Sequence, residues 1–161
     1  MLDAGLRSNE VCILRVQDVN FNNRCILIRG KGSKERVVPM SRNLRKYLYE
    51  YVNIHRNIID SDLLFSGIAG NPFSESCIKS LFVRLRKRTN IQRLKPHLLR
   101  HTFATCFILG GGSVEMLRIL LGHSSISTTQ IYMHIASVYE FNVNPYVLDP
   151  IFFNSYRSVR K

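Results

Sequence analysis

The spacing of apolar and polar residues predicts short strands near the N-terminus and helices over most of the remaining chain. The segment RCILIRG alternates apolar and polar residues as a half-buried strand does. KERVVPM repeats that pattern after the glycines of GKGS, so residues 24–39 are predicted to form a β-hairpin. Pro39 fits an edge or a strand end, and the preceding DVNFNN is predicted to be a turn.

The rest of the chain shows helix-start residues followed by apolar residues three and four positions apart. Glu10 lies near the positive end of the first helix, over NEVCILRV, and the glycines from Gly110 end the helix HLLRHTFATCFILG. A last helix is predicted over residues 127–140, around Tyr132. The predicted starts are Ser8, Ser41 or Asn43, Ser74, Pro96 and Ser113.

Two of these helices carry a clear apolar stripe that is expected to face the core. The predicted stripes are Leu44, Tyr47, Leu48, Tyr51 and Ile54 in one helix, and Ile78, Leu81, Phe82 and Leu85 in the next. The predicted fold class is α+β, mainly α-helical with one small antiparallel sheet near the N-terminus. The proline-broken tail after residue 140 is rich in apolar residues, so it is not expected to be a free linker.

Composition predicts a single globular domain. The 161 residues are 45% hydrophobic with a mean hydropathy of −0.04, and no apolar run is long enough for a membrane span. MLDAGLRSNE lacks the apolar core of a signal peptide. The four cysteines are scattered without a C-x-x-C pair, which favours reduced thiols in a cytoplasmic protein over a zinc site or a disulfide framework.

The charge of the chain predicts a polyanionic partner. The formal net charge is +12, and it is uneven: residues 1–100 hold 19 Lys and Arg against 8 Asp and Glu, whereas residues 101–161 hold 4 against 3. A concentrated basic region is typical of a nucleic-acid-binding face. A solvated basic surface without a ligand is the alternative, and an RNA- or protein-binding module has only this charge in its favour.

Several short motifs place cations, histidines and one tyrosine at turns or helix ends. His97 and Arg100 in HLLRH are three apart in a helix, so both can address one phosphate. Taken singly, each residue is more often structural, and a tyrosine in a polar segment is usually a packed aromatic. The set is Arg7 in GLRSNE, Lys31 in GKGSKER, His97 and Arg100 in HLLRH, His123 in LLGHSS, and Tyr132.

Together these residue types suit metal-free chemistry on a phosphodiester, because no carboxylate pair or metal-ligand cluster accompanies them. A tyrosine hydroxyl can attack phosphorus and form a covalent phosphotyrosine. Cationic groups stabilise charge on the non-bridging oxygens. A Lys or His can pass a proton to the leaving 5′ oxygen or take one from the tyrosine.

The ordered motifs GLR…E, GKG.KER..P, H.LRH.FAT and LLGHSSISTTQIY.H resemble the catalytic domain of tyrosine recombinases, the phage-integrase and Xer-like site-specific recombinases. The resemblance covers residue 5 to about residue 136. It implies the catalytic-domain fold of that family, DNA strand cleavage and rejoining without a metal or cofactor, and a double-stranded DNA substrate. It also implies a tetramer on DNA, with a dimer in solution as a possibility.

The resemblance also implies roles. Arg7 is similar to the first catalytic arginine, Lys31 to the general acid of the hairpin, and Tyr132 to the nucleophile. His97 and Arg100 match the His-x-x-Arg pair, and His123 matches the second histidine. Supporting roles are implied for Glu10 and, on its position, for His101. Flanking DNA contacts are predicted for Lys34, Arg36, Arg86, Lys87 and Arg88, with a role in the hairpin itself as the alternative for Lys34 and Arg36.

Family members also have helices before GLR and a separate core-binding domain, which are not seen in this sequence. We therefore expect a catalytic domain over residues 1–140 and a tail over 141–161 that packs on its own core or on a second copy. The main alternative is a catalytically incompetent DNA-binding fragment. A type IB topoisomerase shares the chemistry, but the LGHSS…Y spacing and the GKG hairpin favour a recombinase. The position of Tyr132 in the absence of DNA is left open by the sequence.

Overall fold

The computed structural model describes residues 1–30, 34–56, 59–67 and 69–142, with side chains described as far as residue 134. A three-stranded sheet comes first and helices follow. The strands are β1 (Val19–Asn20), β2 (Cys25–Arg29) and β3 (Glu35–Pro39). The helices are α1 (Ser8–Ile13), α2 (Arg42–Glu50), α3 (Glu75–Thr89), α4 (Pro96–Leu109), α5 (Val114–Leu121) and α6 (Ser127–Asn142).

The sheet is antiparallel, with β2 in the centre. Cys25 pairs with Pro39 and Ile28 with Arg36, so the predicted hairpin is confirmed and Pro39 lies in an edge strand. The segment DVNFNN is not wholly a turn, because Val19 and Asn20 pair with β2 as a short third strand. Directly opposed residues share a face of a sheet, so Arg36 lies on the same face as the buried Ile28.

The predicted helix starts are largely confirmed. The hydroxyls of Ser41, Ser74 and Ser113 each accept a hydrogen bond from the backbone N–H three residues later. Pro96 is the first residue of α4, where its missing N–H costs no hydrogen bond. The prediction that Ser8 caps the first helix is wrong by one residue: Ser8 is the first residue of α1, and Arg7 is the residue that precedes the helix.

The stripe predicted for α2 is only partly correct. Leu48 is buried, and Leu44 and Tyr51 pack against the core, but Tyr47 is 67% exposed and Ile54 is 61% exposed. From Tyr51 the helix continues as a π-helical turn to residue 55, with i→i+5 hydrogen bonding that shifts the later residues off the stripe.

The core joins the sheet to α4 and α5, while a smaller cluster joins α1 to α3 through Cys12, Ile78 and Phe82. Leu81 is predicted in the α3 stripe but is exposed. Among the described residues, no helix is both long and apolar enough to cross a membrane. Lys31 lies outside the described residues, and so do residues 143–161, which make up most of the predicted tail.

Candidate active site

Arg100 connects two distant parts of the backbone. Its Nη1 donates to the Gly5 carbonyl at 2.6 Å and its Nη2 donates to the Leu121 carbonyl at 2.8 Å. The residue is 7% exposed, and burial, followed by the nearby charge of Arg7, lowers the pKa of the guanidinium to about 10. It therefore remains a cation at neutral pH, held where the turn before α1 meets the end of α5.

Gly5 is required for this arrangement. Its φ is +62°, a region that residues with a Cβ rarely adopt. A Cβ at this position would also lie 2.6 Å from the Phe103 ring and 2.9 Å from Leu121. The glycine thus allows the chain to pack closely on α4 while its carbonyl accepts from Arg100.

Glu10 is the carboxylate of the site, and it binds two arginines. The Arg36 guanidinium donates to both Glu10 oxygens, at 2.8 and 2.9 Å. Arg7 donates from Nη1 at 3.0 Å and from its backbone N–H at 2.7 Å. Burial alone would raise the pKa of Glu10, but the hydrogen bonds from Arg36 and Arg7 lower it to about 2, so the carboxylate is charged at neutral pH.

Arg36 corrects one of the sequence predictions. A contact with DNA phosphates is predicted for it, but its side chain is only 9% exposed, its two Nη atoms bind Glu10, and its Nε donates to the Leu120 carbonyl at 2.7 Å. The sequence contains a signal for this position. The apolar Val38 belongs on the core face of the hairpin, and the two-residue period of a strand places Arg36 on that same face.

His123 is held by both ring nitrogens. Nε2 lies 3.1 Å from Arg100 Nη2, and Nδ1 lies 2.9 Å from the Thr129 hydroxyl. An arginine can only donate, so Nε2 accepts and Nδ1 carries the proton that is donated to Thr129. Burial, followed by the charges of Arg100 and Arg7, lowers the pKa of His123 to about 4, so the ring is neutral at pH 7. Thr129 is fully buried, and no sequence motif singles it out.

Tyr132 lies in the same site. Its residue exposure is 3%, and its hydroxyl is 2.8 Å from His101 Nδ1, with the two rings 5.6 Å apart. Burial raises the pKa of Tyr132 above its usual value, and Arg100 opposes this rise. The hydroxyl is therefore protonated at neutral pH and close enough to Arg100 to interact with its charge.

The remaining predicted residues lie away from these contacts or outside the described residues. His97 is exposed in the first turn of α4, one turn before His101. Lys34 is exposed immediately before β3. Arg86 is half-buried in the last turn of α3, whereas Lys87 and Arg88 there are exposed.

The site is strongly cationic. The guanidinium groups of Arg7, Arg36 and Arg100 carry three positive charges, and the carboxylate of Glu10 compensates one of them. Arg7 is the most accessible of them, with a side chain 37% exposed. Within the described part of the chain, no group of three His, Cys, Asp or Glu residues could hold a metal ion. The arrangement can bind an anion beside a tyrosine hydroxyl.

Solved structures of recombinases share this architecture. The chain superimposes on the crystal structure of XerA recombinase with a TM-score of 0.76 and 32% identity, covering 99% of this chain and 55% of that one. XerH site-specific recombinase, bound to a palindromic difH substrate in a post-cleavage complex, gives a TM-score of 0.74 and 30% identity over 87% of this chain and 42% of XerH. The fold is therefore the catalytic-domain fold of tyrosine recombinases.

Sequence comparison identifies the family. The model of the phage integrase family matches residues 1–138. Tyrosine recombinase XerC of Corynebacterium glutamicum is 35% identical over 134 residues, which are 83% of this chain and 44% of that protein. XerC of Bacillus subtilis is 34% identical over 139 residues, 82% of this chain and 46% of that protein. The chain belongs to the phage integrase family, and it spans about half the length of these relatives.

Proposed function

We propose that this chain is the catalytic domain of a site-specific DNA recombinase that cleaves and rejoins DNA through a covalent 3′-phosphotyrosyl bond at Tyr132. One observation carries the proposal: the buried Tyr132 hydroxyl lies in the same site as the Arg7, Arg36 and Arg100 guanidinium groups. A phosphate bound by Arg7 and Arg100 would have a nucleophile beside it. The family membership supports the same chemistry.

The roles of Arg7, Arg100, His123, Glu10 and Arg36 follow from their contacts, whereas those of Lys31 and His97 rest on the family resemblance. Arg7 and Arg100 would bind the non-bridging oxygens of the scissile phosphate and stabilise the charge that develops there. His123 would hold Arg100, because its ring nitrogens are already bound to Arg100 and Thr129. Lys31 is proposed as the general acid on the 5′ oxygen, and His97 as a second proton-transfer group on the phosphate side. Glu10 would fix Arg7, and Arg36 would fix Glu10.

The proposed substrate is double-stranded DNA. XerH, a relative with this fold, was solved on its difH substrate, and the net charge of +12 suits a polyanion. Lys34, Arg86, Lys87 and Arg88 are proposed to touch phosphates that flank the cleavage site.

Three further features complete the proposal. We propose that the reaction uses neither metal nor cofactor and that four copies assemble on DNA. A cytoplasmic location completes the proposal, since the four cysteines are free.

A second candidate function is DNA binding without cleavage. The observation in its favour is that the chain spans only 44% to 46% of the XerC relatives, so the matched residues correspond to part of those recombinases. The cationic site would then bind phosphates with salt-dependent affinity and no reaction would follow.

The test uses a nicked suicide duplex that traps covalent protein–DNA intermediates. With a cognate site, the wild-type chain is expected to give an adduct that resists SDS, and Tyr132→Phe is expected to give none while still binding the duplex. The Tyr→Phe change removes one hydroxyl, so the fold should be retained, as checked by urea unfolding. A wild-type chain that binds the site without forming an adduct would establish the second function instead.

A further inference from the structure

The hydrogen bond between Tyr132 and His101 suggests which group activates the nucleophile. We propose that His101 is a catalytic residue of this site: its Nδ1 accepts the proton from the Tyr132 hydroxyl as that oxygen attacks phosphorus. This proposal rests on the proposed function, because it names the base for the same reaction. The supporting contact is the 2.8 Å distance between Tyr132 Oη and His101 Nδ1.

A base is needed because the nucleophile starts protonated. Tyr132 is nearly fully buried, and burial keeps its pKa above the usual value even though Arg100 opposes the shift. A neutral phenol is a weak nucleophile, and a positioned acceptor for its proton removes that disadvantage.

Among the described groups around Tyr132, the other candidates are already committed. His123 cannot accept from the tyrosine, because its Nε2 accepts from Arg100 and its Nδ1–H is donated to Thr129. Arg100 has no acceptor atom. His97 is exposed one helical turn before His101, on the same face of α4. His101 is the group that the hydroxyl actually contacts.

The position of His101 suits proton exchange. It is the residue after Arg100 in α4, so one helix carries both the phosphate-binding cation and the proposed base. Arg100 acts electrostatically on Tyr132, and His101 acts on His123, so the two helix residues face the same site. His101 is exposed, so water can restore its protonation state between turnovers.

The step balances in atoms and charge. The Tyr132 Oη–phosphorus bond forms as the bond from phosphorus to the 5′ oxygen breaks. The phenolic proton moves to His101 Nδ1, and the 5′ oxygen takes a proton from the general acid, which we propose to be Lys31. Rejoining reverses each transfer, so protonated His101 returns its proton to Tyr132 as the phosphotyrosyl bond breaks.

The first experiment compares His101→Asn with wild type on the suicide duplex, in the full chain. The Asn amide can lie near the position of Nδ1 and keep a hydrogen bond to Tyr132, but it does not accept a proton at neutral pH. Adduct formation should slow by about 10²- to 10⁴-fold, the usual range for general acid–base catalysis. His55→Asn, which removes an exposed histidine after α2, is the matched control and should react at the wild-type rate.

Two further readouts separate proton transfer from a structural role. A duplex whose 5′ bridging oxygen is replaced by sulfur needs no general acid, so it should restore Lys31→Ala but leave His101→Asn slow. Added imidazole should partly restore His101→Ala, since position 101 is exposed. An Asn variant that reacts at the wild-type rate, or that the sulfur substrate restores, overturns the proposal and leaves the proposed function intact.

A measurement without DNA keeps the proposal testable even if wild type forms no adduct. Ring ¹⁵N chemical shifts of His101 report which nitrogen carries the proton. The proposal requires the neutral ring to be protonated at Nε2, so that Nδ1 accepts from Tyr132, and this tautomer should persist in His97→Asn. Protonation at Nδ1 would make His101 the donor of the 2.8 Å hydrogen bond and would overturn the proposal.

Discussion

The two halves of the site are built differently. The cationic half, consisting of Arg7, Glu10, Arg36 and Arg100, is tied together by charge-assisted hydrogen bonds from α1, β3 and α4 and by backbone carbonyls next to α1 and at the end of α5. The other half holds the proposed nucleophile, Tyr132 of α6, which has a hydrogen bond to His101. The difference indicates that the proposed phosphate-binding groups are preorganised, whereas Tyr132 can shift at lower cost.

The surroundings of α6 support this comparison. Of the residues 127–134, only Thr129 and Tyr132 are buried, while Ile131 and Met133 are about half exposed. Over residues 127–134, two buried side chains give this part of α6 little apolar area to hold it in place. Adjustment of the first turn of α6 toward a bound phosphate would break the hydrogen bond from His123 to Thr129, whereas the proposed proton transfer requires the hydrogen bond between Tyr132 and His101 to persist.

The largest expected effect is that of Arg100→Ala. Loss of a cation that stabilises the developing charge should lower the rate of adduct formation by about 10²- to 10³-fold or more, as for the loss of other preorganised donors. Binding to duplex DNA should weaken far less, because many phosphate contacts share the affinity. The matched control is Arg84→Ala, which removes an exposed arginine of α3 to which no role is assigned. Equal loss of binding and reaction would make Arg100 a simple binding contact.

Glu10→Gln should test how far the cationic half depends on its carboxylate. The substitution preserves shape but leaves Arg7, Arg36 and Arg100 without a compensating charge. Removal of one partner of a buried ion pair costs about 3–5 kcal/mol of unfolding free energy, measurable by urea titration. The control is Glu115→Gln, which breaks the exposed pair with Arg118 and should change stability far less. Similar effects of the two changes would contradict the assigned role of Glu10.

Acid should lower the free energy of unfolding of the chain in two separate pH ranges. The folded state holds the pKa of His123 at about 4, below the ordinary value of 6.5, so the unfolded chain binds the extra proton first. Stability should therefore fall as the pH drops from about 6.5 towards 4. A second loss should follow below pH 4.5, as Glu10 approaches its pKa of about 2. Urea unfolding at several pH values measures both losses, and His123→Asn should remove the first. Stability that rises as the pH drops from 6.5 to 4 would be the opposite result.

The smallest expected effect is that of Thr129→Val. Valine retains the shape but removes the hydroxyl that accepts from His123 Nδ1, at a cost of about 1 kcal/mol in unfolding free energy. The exposed neighbour gives the control, Thr128→Val. If α6 is anchored as weakly as its exposure indicates, the adduct should also form more slowly. A change at residue 129 with no more effect than the change at 128 would show that this hydrogen bond does not hold α6 in place.

Local signals account for what the sequence predicts well. The hairpin over residues 24–39 follows from alternation and the glycines between the strands, and the serine caps follow from hydroxyls placed just before apolar runs. Motif order predicts the candidate site residues, since no single residue carries a distinctive pattern. The residues that the sequence predicts and the structure brings together are Arg7, Glu10, Arg100, His101, His123 and Tyr132.

Long-range contacts account for what the sequence does not predict. Arg36 is predicted to touch DNA because it follows Lys31 in the hairpin, whereas its partner Glu10 is 26 positions away. Val19 forms a strand only because β2 is beside it. Tyr47 and Ile54 satisfy a helical stripe, but the π-helical turn after α2 and the position of the core decide which side chains are covered. Such partners cannot be identified from local periodicity.

The carbonyl contacts of Arg100 have a practical consequence for changing the DNA specificity of such a domain. The Arg100 side chain donates hydrogen bonds to the carbonyls of Gly5 and Leu121. A substitution that alters this side chain therefore changes the proposed phosphate-binding group and the packing of the fold together. A library that randomises positions around the reactive centre would mostly yield chains that fail to assemble, and the resulting inactivity would say nothing about DNA recognition. Diversity is better introduced at exposed positions such as Lys34, Lys87 and Arg88, where a change leaves that connection intact.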